Sequence, residues 1–272
     1  MTLVKDSAAA IAGRFLAARR AASGLSSYPG DFPETLEEAY AVQDAAIAEL
    51  GAPIFGWKVG RVPQPFLERF TTDRLAGPIF KVFDVGDGAV PREMPVFERG
   101  FAAGEAEFLL RLRAAPSQGK RLYSLEEAAG LVDAVHVGIE IASSPLASIN
   151  ALGPVAVISD FGNNNGLLVG GAVTDWRSSG FEDWEVSTFV DGNRVGTGRA
   201  SAFPDGAIGA VRFLLELCAE RGIALQPGQW ISSGAVTGVH DARPGQLVET
   251  RFGPGLQLAC RLVAGQPEAG GA

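Results

Sequence analysis

Cysteine, histidine, basic runs and long apolar stretches are scarce in this chain. Only two cysteines, Cys218 and Cys260, occur in 272 residues. They make neither a disulfide framework nor a zinc motif, and they read as core thiols of a reducing cytosol, so a cytoplasmic setting is expected. The two histidines, His136 and His240, have no metal-ligand spacing, and both read as structural. No apolar run approaches the roughly 18–20 residues that cross a bilayer, so no membrane partner is expected. Lys plus Arg number 23 against 31 Asp plus Glu, a net charge of −8. Without a long basic run there is no footprint for nucleic acid. A Gly-x-Ser-x-Gly elbow, a P-loop and a Gly-x-Gly-x-x-Gly turn opening a helix are all absent. Their absence removes the nucleophile-elbow hydrolase, P-loop and Rossmann readings.

What is present is globular. Hydrophobic residues make up 47% and charged residues 20%, and the length gives room for a full core. The 35 glycines are about twice the average share, which predicts tight turns and close backbone approaches. One catalytic domain is expected over 1–263, with a helical segment to about residue 50 and a disordered tail over 264–272.

Residues 6–22 are rich in Ala and Arg, as a transit peptide would be. Asp6 or Ser7 as a cap, Ile11, Phe15 and Leu16 on one face and Gly24 beyond the end favour a helix. Thr35 and Glu38 form a capping-box pattern that opens a second helix, stopped at Gly51. Strands are predicted over 54–60, 77–83, 104–113, 135–142 and 154–159, with a helix from Ser124 to about 133. A hairpin follows over 185–198 around Asp191-Gly192. A helix over 205–221 and strands over 229–233, 246–252 and 256–263 complete the chain. Helices lie mainly outside a run of strands, which argues for an α+β fold rather than a doubly wound sheet.

Three carboxylates draw attention. In Gly104-Glu105-Ala106-Glu107-Phe108 the strand period puts Glu105 and Glu107 side by side on one face. Adjacent carboxylates repel unless a proton or cation lies between them. Glu140 sits in an apolar strand, sharing its face with Gly138 and Ala142, where an unpaired charge is costly. Carboxylate-only ligation suits Mg²⁺ or Mn²⁺. The alternative is a solvated strand face, with Glu140 neutralised by an arginine.

Lys58 lies between Gly56 and Gly60, opposite the face of Phe55, Trp57 and Val59. It is either a solvated lysine on an edge strand or a group that meets a carboxylate or moves a proton. The segment Asp160-Phe161-Gly162-Asn163-Asn164-Asn165-Gly166 is either turn chemistry or the lining of a site. Asp160, Phe161, Asn163 and Ser233, with Lys58, are the candidate substrate-binding residues.

The segments Glu38-Ala39-Tyr40-Ala41-Val42-Gln43, Gly56-Trp57-Lys58-Val59-Gly60, Gly104-Glu105-Ala106-Glu107-Phe108, Ile139-Glu140-Ile141-Ala142-Ser143-Ser144 and Asp160-Phe161-Gly162-Asn163 stand in this order. Together they resemble the fumarylacetoacetate hydrolase superfamily, in its 2-keto-4-pentenoate hydratase / oxalocrotonate decarboxylase branch. The resemblance runs from about residue 8 to 263. It implies a mixed, rolled β-sheet core with flanking helices and a homo-oligomer. It also implies Mg²⁺ or Mn²⁺ held by Glu105, Glu107 and Glu140, with Lys58 in the site.

The hydrolase branch adds a Glu–His pair upstream of the metal ligands, and this chain has no histidine before Glu105. Two positions depart from the branch. Lys81-Val82 follows Gly77-Pro78-Ile79-Phe80 where acidic residues are frequent, and Pro244-Gly245-Gln246 replaces Pro-Gly-Asp. The implied activity is a lyase that adds water to a 2-hydroxy-2,4-dienoate to give a 4-hydroxy-2-oxo acid. The alternatives are decarboxylation of a 2-oxo-enedioate, with Lys81 pairing a second substrate carboxylate, and a non-catalytic structural partner.

Overall fold

The computed structural model describes residues 6–86 and 90–268. Two helices come first, each started by a side-chain cap. Ser7 accepts from the Ala10 amide at 3.2 Å to open α1 (Ala8–Arg20). Thr35 accepts from the Glu38 amide at 3.1 Å to open α2 (Leu36–Leu50), and Gly51 closes it in the left-handed region. The Glu38 carboxylate caps the Glu34 amide at 2.7 Å instead of Thr35, so this capping box is only half closed. The box at Ser124–Glu127 is complete and opens α3 (Leu125–Gly130).

The strands are β1 (Gly56–Arg61), β2 (Arg74–Ile79), β3 (Val82–Gly86), β4 (Arg92–Val96), β5 (Phe101–Leu112) and β6 (Val132–Ser144). Then come α4 (Ile149–Leu152), α5 (Pro154–Ser159), β7 (Asn164–Ala172), β8 (Val186–Val190), β9 (Asn193–Gly198), α6 (Gly206–Arg221), β10 (Trp230–Ser232), β11 (Leu247–Phe252) and β12 (Leu256–Ala264). They form two mixed, open sheets. The larger has seven strands in the order β2-β1-β10-β5-β6-β7-β3 and the smaller has five in the order β4-β12-β11-β8-β9. This is the expected α+β architecture of mixed sheet with flanking helices.

One face of the large sheet packs on the small sheet. Phe108 of β5 meets Phe252 of β11 edge-on at 5.3 Å, and Ile139, Ile141, Val248, Leu258 and Leu262 share the same apolar core. A Cβ on Gly104 would stand 2.9 Å from Val248, so the missing side chain sets how closely the sheets approach. The opposite face of the large sheet carries the carboxylates. Ala103 and Ala142 on that face join a second apolar cluster with α1, α2 and α5. No helix among the described residues is long and apolar enough to cross a membrane.

Several expectations are corrected. Residues 154–159, read as a strand, form α5. Pro154 at the first helical position and full burial of the segment decide this, since a short apolar run has no distinctive period. The single strand expected over 77–83 is two strands on opposite edges of the large sheet. Phe55, expected in the core, lies before β1 and is 49% exposed. The tail is ordered as far as it is described. Gly265 and Glu268 donate backbone hydrogen bonds to Val96 and Arg20 at 2.8 and 2.7 Å, while 269–272 lie outside the described residues. Strands β4 and β7 were not predicted.

Candidate metal centre

The pairing of β5 with β6 is antiparallel and sets Glu105 directly opposite Glu140 and Glu107 opposite Gly138. Directly opposed residues share a face. The i, i+2 period along β5 and the register across to β6 therefore converge on one point. One carboxylate oxygen of each of Glu105, Glu107 and Glu140 lies within 4.8 Å of the others. Glu105 is 3% exposed, and Glu107 and Glu140 are fully buried. The solvated-face alternative is thereby excluded.

Lys58 arrives by the same logic. It pairs with Ser232 of β10, and Ser232 pairs with Leu109 of β5, which puts Lys58 on the face of Glu105 and Glu107. β1 is flanked by β2 and β10, so Lys58 is on an interior strand, and it is buried. Its Nζ lies 3.1 Å from Glu140 Oε2 and donates to Asn163 Oδ1 at 3.1 Å. Lysine, not arginine, is the cation beside Glu140.

Two glycines make that contact possible. Gly77 stands opposite Lys58 across β1–β2, and a Cβ there would fall 2.1 Å from the Phe161 carbonyl oxygen. Gly162, at φ +66°, would carry a Cβ 2.8 Å from Lys58 Cδ. Bare positions on both sides let the 161–163 turn lie on the sheet and deliver Asn163 to the lysine.

The carboxylates are individually held. Asn164 donates to Glu140 Oε1 at 2.9 Å. The Ser232 hydroxyl and the Gly234 amide both donate to Glu107 Oε2, the latter at 2.8 Å. Glu107 Oε1 is buried with no hydrogen-bond partner. Burial raises the Glu105 pKa to about 7, against the pull of Lys58 and with the push of Glu140. Burial likewise lifts Glu107 well above the carboxylate range, reinforced by Glu140 and Glu105. Burial pulls the Lys58 ammonium down, but Glu140, Glu105 and Glu107 together outweigh it and hold the lysine protonated above its ordinary range.

Three carboxylates and one ammonium leave two negative charges when all are ionised. A buried, orphaned oxygen and a deficit of two positive charges fit a divalent, oxygen-seeking cation such as Mg²⁺ or Mn²⁺.

The centre opens on a cavity of about 270 Å³ lined by Lys58, Glu105, Asn163, Asn150, Arg61 and Val239, among others. Of the predicted substrate-binding residues, Lys58 and Asn163 line it and the other three do not. Asp160 is buried beneath, with Arg19 Nε donating to its Oδ1 at 2.6 Å. The Phe161 ring packs edge-on against Phe80 at 5.0 Å. Ser233 is fully buried with an unpartnered hydroxyl, while its neighbour Ser232 reaches Glu107. Lys81 is exposed and outside the cavity lining. His136 Nδ1 pairs with the Gly170 carbonyl at 2.8 Å and His240 Nε2 with the Thr237 carbonyl at 2.9 Å, so both histidines are occupied structurally.

Sequence reasoning missed Asn164 and Ser232. Asn164 lay in plain view within the Asn-rich run, and strand parity relative to Trp230 would have favoured Ser232 over Ser233.

No family model and no curated protein matches the chain. Solved structures do. The 4-oxalocrotonate decarboxylase from Pseudomonas putida G7, complexed with magnesium and adipate, superposes with a TM-score of 0.78 at 20% identity, covering 96% of this chain and 99% of that one. Fumarylpyruvate hydrolase from Pseudomonas aeruginosa, with Mn²⁺ and pyruvate, gives 0.56 at 15% identity over 79% and 91%. The 2-hydroxyhepta-2,4-diene-1,7-dioate isomerase from Mycobacterium marinum gives 0.52 at 20% identity over 78% and 77%. The chain has the fold these proteins share, as the resemblance implied.

Proposed function

We propose that this chain is a divalent-metal-dependent lyase that adds water to a 2-hydroxy-2,4-dienoate and yields a 4-hydroxy-2-oxo acid. The observation that carries the reading is the cluster of three buried carboxylates within 4.8 Å, closed by Lys58 and open to a cavity. Glu105, Glu107 and Glu140 would hold Mg²⁺ or Mn²⁺, both of which occur in neighbours of the same fold. When bound, the ion supplies Lewis acidity at the substrate's 2-oxygen and carboxylate.

The protein's own groups do the rest. Lys58, which touches Glu140, would bind the substrate carboxylate or deliver the proton that turns the dienol into the α,β-unsaturated ketone. Asn163 fixes its ammonium at 3.1 Å. Asn164, Ser232 and the Gly234 amide orient Glu140 and Glu107. Water then bonds to C4 as the C3–C4 double bond opens, and a proton ends on C3. No histidine lines the cavity, so the water-activating Glu–His pair of the hydrolase branch has no counterpart.

A second reading is decarboxylation of a 2-oxo-enedioate, favoured by the near-complete overlap with a decarboxylase fold. An NMR time course with Mg²⁺ or Mn²⁺ on 2-hydroxypenta-2,4-dienoate and 2-oxohex-3-enedioate separates the two. Formation of 4-hydroxy-2-oxopentanoate from the first supports hydration, and CO₂ from the second supports decarboxylation. Conversion of neither, with a divalent ion still stabilising the protein, refutes both. The homo-oligomer implied by the resemblance is checked by light scattering on the purified chain.

A further inference from the structure

Asn150 lies on α4, whose Ile149 belongs to the apolar cluster on the carboxylate face of the large sheet. It is half-buried and lines the cavity with Lys58, Glu105 and Asn163. Its side chain is tied to that centre. Lys58 Nζ donates to Asn163 Oδ1 at 3.1 Å, and Asn163 Nδ2 donates to Asn150 Oδ1 at 3.3 Å. The direction of this chain is fixed at its head, because an ammonium can only donate. Asn163 must turn its oxygen to Lys58 and its nitrogen to Asn150, so Asn150 must accept through its own oxygen. Asn150 Nδ2 is left over. It has no partner among the described residues and is not sealed off as Glu107 Oε1 is, so it opens on the cavity. The positive charge at the head polarises both amides, which makes this last N–H a stronger donor than that of an isolated amide. The other polar side chains among the described residues lining the cavity are committed. Lys58 and Glu105 belong to the candidate metal centre, and Asn163 is bonded at both ends. Arg61 lies with Trp57 and Val59 on the opposite face of β1, its guanidinium against the Phe203 ring at 5.4 Å. Leu75, Pro63, Val157 and Val239 make an apolar wall.

From this we infer that Asn150 Nδ2 donates to the oxygen at C4: the hydroxyl of the 4-hydroxy-2-oxo acid, and the water that becomes it. The inference rests on the proposed lyase reading and deepens it. With the substrate carboxylate and 2-oxygen at the metal centre and Lys58, C4 lies further along the chain, and Asn150 stands two hydrogen bonds from the Lys58 ammonium. A hydroxyl enclosed by apolar side chains is costly without a partner, so one donor in that wall selects for it. Asn150 takes no proton, because an amide does not titrate. It holds one lone pair of the water oxygen and leaves another to bond to C4. Since it approaches from one side, it fixes the face on which the hydroxyl is set. Decarboxylation of a 2-oxo-enedioate creates no oxygen at C4 and has no need of a donor there.

The test compares the two enantiomers of 4-hydroxy-2-oxopentanoate with 2-oxopentanoate, which lacks only the hydroxyl. Calorimetry on the Mg²⁺-loaded protein should show one enantiomer preferred over 2-oxopentanoate by about 3- to 20-fold, the range between a neutral and a charge-assisted hydrogen bond. Asn150→Ala, with its fold checked by urea denaturation, should bring that ratio to about one. The ratio is the readout because a purely structural role, acting through Asn163 and Lys58, would weaken all three ligands alike and leave it unchanged. No preference in the parent, an equal preference for both enantiomers, or a ratio that survives in Asn150→Ala overturns the assignment. Hydration of 2-hydroxypenta-2,4-dienoate by a parent that shows no preference overturns Asn150 alone and keeps the lyase reading. A preference that Asn150→Ala erases, in a parent that does not hydrate the dienoate, upholds Asn150 as the hydroxyl reader and refutes the lyase reading instead. Binding of none of the three acids overturns both.

Discussion

Replacing Glu105 with Gln should stabilise the metal-free protein while destroying its response to metal. Lys58 touches Glu140, while Glu105 and Glu107 have no such contact, and burial raises the pKa of both. For Glu105 the rise is from 4.5 to about 7. A carboxyl with a raised folded-state pKa binds its proton more tightly in the folded chain. Its contribution is intact below about pH 4.5 and is lost as pH climbs through about 7. At 1.36 kcal/mol per decade, the loss is about 3 kcal/mol for this group alone. Glutamine keeps the shape without the charge, so Glu105→Gln should remove the Glu105 share of the pH-dependent penalty.

The assay is urea denaturation in chelator at about pH 5 and about pH 8, repeated with excess Mg²⁺. Wild type should lose stability on going to the higher pH and recover it with Mg²⁺, whereas Glu105→Gln should lose less, keeping only the share of buried Glu107, and should not recover with Mg²⁺. A wild-type protein that gains stability between those pH values in chelator would refute the charge accounting. A Glu105→Gln variant that keeps the full Mg²⁺ response would refute its place in the metal centre.

Three further outcomes are expected. Lys58→Met should reduce turnover by at least about 100-fold, as loss of a proton-moving or carboxylate-binding group does, while calorimetry still detects Mn²⁺, because the three carboxylates remain. Gly77→Ala puts a Cβ 2.1 Å from the Phe161 carbonyl, which should cost about 1–3 kcal/mol in denaturation and raise KM by displacing Asn163 from Lys58. Arg19→Ala strands the fully buried Asp160 carboxylate, so a destabilisation of about 3–5 kcal/mol is expected by the same measurement, with Asp160→Asn in the Arg19→Ala background recovering part of it.

Local chemistry was legible in the sequence. Capping residues and apolar spacing located α1, α2, α3 and α6, and Asp191-Gly192, at φ +49° and +78°, forms the hairpin turn its residue types demand. The period of two placed Glu105 beside Glu107, because strand parity is a property of the backbone alone. Parity went no further. It could not distinguish a short buried helix over Pro154–Ser159 from a strand, since both bury every side chain. Nor did it reveal β7, whose opening Asn-Asn-Gly reads as turn chemistry until β6 and β3 supply pairing on both sides.

What the sequence determined by itself was which residues carry charge on which side of each strand. Whether those charges meet was decided by the register of β5 on β6 and of β1 on β10, set by sheet packing far along the chain. Burial was decided there too. The same Glu-x-Glu on an outer face would be an ordinary solvated pair. Covered by helices on one side of a seven-stranded sheet, it leaves two negative charges, when all are ionised, that protons or a cation must balance. The role of Ser232 belongs to tertiary structure for the same reason. A serine is aimed at Glu107 only relative to a neighbour that the chain brings from more than a hundred residues away.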